Sequence, residues 1–75
     1  MEATVLRRLR DVIDPETGVS MLALGVIQSV RVAPPNVHIV VDGTHALSRH
    51  FAAEAEAAAR EAVPVGWGVE VHLSV

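Results

Sequence analysis

The chain has 75 residues and no cysteine, a formal net charge of −3 and a hydrophobic content of 51%. These numbers exclude two independent domains, each of which would fall below the size that folds unaided. They also exclude a disulfide framework, a thiolate zinc site and a cysteine-held iron–sulfur cluster built from this chain alone.

All six basic residues are arginine. A nucleic-acid binder carries a basic stripe, whereas Arg7, Arg8 and Arg10 share one segment with Glu2 and Asp11 beside them. Nucleic acid is therefore not an expected partner. No apolar run reaches the roughly 18–20 residues that span a membrane. The opening stretch also lacks the apolar core of a signal peptide, so no membrane is expected and the cytoplasm is the expected location. One domain over residues 1–75 is expected, with no internal repeat or linker.

Val5, Leu6, Leu9, Val12 and Ile13 recur at helical spacing and predict an amphipathic helix over Thr4–Ile13. Pro15 disfavours helical geometry at Asp14 and stops it there. Asp14-Pro15-Glu16-Thr17-Gly18 then reads as a turn, and Val19–Leu24 as a loop with a helical turn. Val26–Val32 and Val37–Val41 are rich in β-branched residues and predict a hairpin across the four residues Ala33–Asn36. Asp42-Gly43-Thr44 breaks the second strand, with Thr44 as the expected N-cap of a long helix over Ala46–Val63. Leu47, Phe51, Ala55, Ala58 and Ala62 form its inner stripe. Val69, Val71, Leu73 and Val75 alternate with Glu70, His72 and Ser74 in a last strand.

Helix, strand, strand, helix, strand is an α+β two-layer sandwich, with both helices on one face of a three-stranded sheet. The other face then carries Ser29, Arg31, His38, Val40, Glu70, His72 and Ser74. This mixed face reads as solvated, with Val40 leaving room for self-association into a homo-oligomer or for a partner.

Val12-Ile13-Asp14-Pro15-Glu16-Thr17-Gly18, followed by Leu24-Gly25-Val26-Ile27, resembles the signature of the SufT/PaaD-like family of small iron–sulfur cluster assembly domains, V-I-D-P-E-x-G … D-L-G-L-V. The spacing matches without a gap from Val12 to Ile27. The run from Val63 to Val71 is similar to the family's V-P-G-V-x-x-V-x-V, and the element order agrees. What the resemblance carries over is Asp14, Pro15, Glu16, Gly18, Leu24 and Gly25. Two departures stand beside it. Ala23 replaces the usual Asp, and Thr44-His45-Ala46-Leu47 stands where the family usually has a cysteine at the start of the long helix. That cysteine is the family's proposed cluster or metal contact, and it transfers to no residue here.

Each candidate site has two readings. Asp14 and Glu16 are either a carboxylate pair for metal or partner contact, or a turn in which Asp14 accepts backbone N–H bonds. Asp42, His45 and His50, with Thr44, lie where the second strand ends and the long helix begins. Asp and His suit zinc or ferrous iron, yet residues five apart do not share a helix face, so convergence requires His45 to precede the helix. Trp67, between two glycines, is either a lid over the core edge or an exposed partner anchor. No catalytic constellation is recognisable.

The leading expectation is a small non-catalytic accessory module, acting by contact with protein partners of iron–sulfur assembly and holding no cofactor by itself. The rival is a divalent-metal protein or metal-dependent enzyme built on Asp42, His45 and His50.

Overall fold

The computed structural model describes all 75 residues. Helix α1 spans Glu2–Arg10 and buries Val5 and Leu9. Glu2 in its first turn and Arg7, Arg8 and Arg10 in its last oppose the partial charges of the helix ends. It stops before the predicted Ile13 because the chain is drawn elsewhere. The Val12 N–H bonds Leu9 at 3.1 Å, the Val12 carbonyl accepts from Met21 at 2.9 Å, and Ile13 bridges Ser20 in antiparallel fashion.

Strands β1 (Ile27–Ala33) and β2 (Asn36–Val41) form the expected antiparallel hairpin. Its connection is the two-residue Pro34-Pro35, joined by a cis peptide, not the four residues predicted. Prolines lack an N–H for the ladder, so pairing closes on either side of them at Ala33 and Asn36. A bulge between Ile27 and Ser29 breaks the alternation of β1. Gln28 is therefore exposed, while Val26 is buried.

Helix α2 spans Ser48–Ala62 and begins two residues later than predicted. Thr44 is not its N-cap; that position is Leu47, which makes no side-chain cap bond. The Thr44 hydroxyl is turned instead toward the Asp42 carboxylate, at 2.6 Å. On its exposed face Glu56 and Arg60, four residues apart, pair at 3.2 Å. Strand β3 (Gly68–Leu73) runs parallel to β2, giving a mixed sheet in the order β1-β2-β3 with β2 central. No helix is long and apolar enough to cross a membrane.

Both helices pack against the sheet and each other, so the expected two-layer α+β architecture is observed. One cluster of twelve buried apolar residues forms the core, among them Val5 and Leu9 of α1, Val37, Ile39 and Val41 of β2, and Phe51, Ala55, Ala58 and Ala59 of α2. Alanine on the α2 stripe brings the helix close to the sheet. The second face of the sheet is left uncovered.

Where β2 ends, Gly43 lies so close to the carbonyl of Ser74 that a Cβ would collide with it. Gly43→Ala is expected to part the ends of β2 and β3 and cost about 1–3 kcal/mol. A lowered urea midpoint with an unchanged denaturant slope is the expected readout; an unchanged midpoint contradicts the close approach.

Candidate functional site

The turn after α1 is built around a buried carboxylate. Asp14 is 4% exposed. Its Oδ1 accepts the Glu16 N–H at 3.1 Å, and its Oδ2 accepts the Thr17 hydroxyl at 3.0 Å. Its own N–H bonds Val19 at 2.8 Å, and its carbonyl accepts from Gly18 at 2.8 Å. Gly18 has φ +70°, a left-handed conformation that suits glycine. Every polar group of Asp14 is thus committed to the turn, which supports its structural reading. Pro15 and Glu16 are exposed on the outside, flanked by Ile13 and Val19, which are 50% and 39% exposed. Leu24 packs half-buried on the core, and Gly25 turns the chain with φ +76° into the hairpin.

Asp42, His45 and His50 occupy the strand end and helix start, as expected, but the polar atoms of Asp42 and His45 serve local structure. Asp42 accepts both the N–H and the hydroxyl of Thr44, at 2.9 and 2.6 Å. The Thr44 hydroxyl first, then its N–H, with a smaller contribution from His45, hold the Asp42 carboxyl below the usual carboxylate range. His45 does precede the helix; its Nδ1 accepts the Leu47 N–H at 3.0 Å, and its ring meets the edge of Phe51. His50 is exposed on the first turn of α2, its ring tilted against that of Phe51. Trp67 is half-buried against the core, its backbone N–H donating to the Pro64 carbonyl at 3.2 Å.

The side chains that do converge as metal-ligand donors lie elsewhere. His38, Glu70 and His72 place their ligand atoms within 4.8 Å of one another on the uncovered face of the sheet. The register makes this so: His38 stands opposite Glu70, and Val40 opposite His72, across the parallel pair. His38 Nδ1 is 3.2 Å from Glu70 Oε2, and the two imidazole planes are 9° from parallel with centroids 6.4 Å apart. The alternation of residues in the sequence puts these three on one face, but their meeting depends on the register between β2 and β3.

A cleft of about 220 Å³ between the helices is lined by Arg8, Asp11, Glu54 and Glu61 among others. The Arg8–Glu61 pair, at 3.7 Å and half exposed, adds little stability there.

Residues 2–73 match the family of iron-sulfur cluster assembly proteins, so the match spans nearly the whole chain. The chain belongs to the iron-sulfur cluster assembly protein family. No curated protein matches it. Within this family frame, the Asp14 turn, α1 and the last strand all fall inside the matched span. The chain supplies no thiolate of its own.

Proposed function

We propose that this family member is a non-catalytic accessory module of the SufT/PaaD-like kind, acting in the cytoplasm through contact with partner proteins of cluster assembly. The cluster is the cargo of those partners and is not held by this chain. The observation that carries the reading is the Asp14 turn. A buried carboxylate spends all its bonds on fixing a loop whose outer surface is Pro15 and Glu16 between exposed Ile13 and Val19. Apolar side chains held rigidly at the surface lose little entropy on docking. The gap-free spacing from Val12 to Ile27 supports the subfamily assignment, and the lack of cysteine supports the division of labour with partners.

Anaerobic incubation with iron and sulfide is expected to leave the purified protein without the absorption of a sulfide-bridged cluster. A stable brown chromophore at near-stoichiometric iron would overturn the reading. Association with cluster-carrying assembly proteins is expected to be lost in the Ile13→Glu/Val19→Glu variant, which leaves the Asp14 bonds in place. Undiminished association in that variant counts equally against it.

A further inference from the structure

We propose that His38, Glu70 and His72 form a binding site for a single divalent transition-metal ion on the outer face of the sheet. The site rests on three observations.

The first is placement by the backbone. Parallel pairing sets His38 beside Glu70 on neighbouring strands, and Glu70 and His72 are two apart on β3, so all three project from the same face. The frame is rigid, because beneath it β2 turns Val37, Ile39 and Val41 into the core at 0% exposure.

The second is distance. Ligand atoms bound tetrahedrally at about 2.0–2.1 Å from zinc stand roughly 3.3 Å from one another. His38 Nδ1 and Glu70 Oε2 are already 3.2 Å apart. The widest separation in the group, at most 4.8 Å, closes by side-chain rotation alone, since Glu70 and His72 are exposed.

The third is availability. Apart from the His38–Glu70 contact itself, none of the three side chains is bonded to another residue of the protein, whereas Asp14, Asp42 and His45 are all committed to turns.

Two imidazoles and one carboxylate are a borderline donor set. It suits zinc, ferrous iron, cobalt or nickel, and not magnesium or calcium, which take oxygen ligands. Three protein ligands leave at least one position open to water or to a donor from another molecule. Arg31 lies across from His38 on β1, on the same face and outside any ion pair. Its charge disfavours a bound cation and limits the affinity.

The site lies on the opposite side of the sheet from the helices and is independent of the contact role proposed above. Its test uses metal without sulfide, so the two readings fail separately. Titration of the untagged 75-residue chain, freed of metal by chelator, with zinc and with cobalt is the decisive experiment. The expected result is one ion per chain, with perturbed His38 and His72 ring resonances under zinc and a visible cobalt absorption of low-symmetry type. His38→Ala and His72→Ala are each expected to weaken binding at least tenfold, and Glu70→Gln to weaken it less, because the amide oxygen remains a poor ligand. All three positions face solvent, and an unchanged circular dichroism spectrum establishes that each variant is folded. His45→Ala/His50→Ala is expected to leave the affinity unchanged. Absence of saturable binding overturns the proposal, as does binding that survives His38→Ala/His72→Ala or vanishes in His45→Ala/His50→Ala.

Discussion

Replacing Phe51 by alanine is expected to remove about half of the protein's stability. Phe51 is fully buried and is the bulkiest side chain in the core. Truncating a buried phenylalanine costs about 3–5 kcal/mol, through lost transfer energy and the cavity left behind. At the usual 0.05–0.15 kcal/mol per residue, a chain of this length has roughly 4–11 kcal/mol in total. The loss is aggravated here because most other side chains on the inner stripe of α2 are alanine, too short to relax into the gap. His45 and His50 also lose the ring they pack on, at 5.2 and 5.6 Å. Urea unfolding followed by circular dichroism should show the midpoint falling by about half or more. Phe51→Leu, which keeps most of the volume, should cost only about 1–1.5 kcal/mol. A Phe51→Ala midpoint within experimental error of the parent would contradict the packing described.

Asp14→Ala is the second large effect. It removes both acceptors that hold Glu16 and Thr17. A hydrogen bond to a charged group contributes about 1.5–3 kcal/mol, but Glu16 and Thr17 are exposed and water replaces part of what is lost. The expected net cost is about 2–3 kcal/mol. Amide hydrogen exchange at Glu16 and Gly18 should accelerate more than global unfolding accounts for, because the turn opens before the core does. Asp14→Asn retains one acceptor oxygen and is expected to fall between parent and alanine. If Asp14→Ala leaves both stability and exchange unchanged, the carboxylate does not hold the turn.

The fold was legible in the sequence to the extent that its signals are local. Periodicity places both helices and all three strands, and the spacing of Asp14, Gly18 and Gly25 marks turns that the backbone confirms. The boundaries that moved were decided by partners distant in sequence or by competing bonds. Helix α1 ends early because Met21 claims the Val12 carbonyl. Thr44 does not cap α2 because Asp42 holds its hydroxyl. The hairpin narrows to Pro34-Pro35 because Ala33 and Asn36 continue the ladder.

The candidate metal residues illustrate the same division. Asp42, His45 and His50 cluster in sequence, yet short-range turn bonds occupy Asp42 and His45, and the His50 ring lies against Phe51. His38, Glu70 and His72 were placed correctly on the outer face by alternation. Nothing local states which row of β2 meets which row of β3. A shift of two residues would preserve every inward and outward assignment while parting His38 from Glu70. Only the register, set by packing of the whole core, brings the three together.

The parallel pairing of β2 with β3 also bears on how the chain reaches this state. Partners in the β1–β2 hairpin are close in sequence, but each β2–β3 pair is separated by 32 residues, with all of α2 between. The hairpin closes a short loop, whereas β3 must find its place after the long one is formed, a slower step. During synthesis from the N-terminus, the residues of both helices and the hairpin emerge before Val69 and Val71, which complete the sheet. Until then one edge of β2 is an open template, and two of the three outer-face ligands are absent. Completion of the sheet and assembly of that face are therefore one event, governed by the last strand.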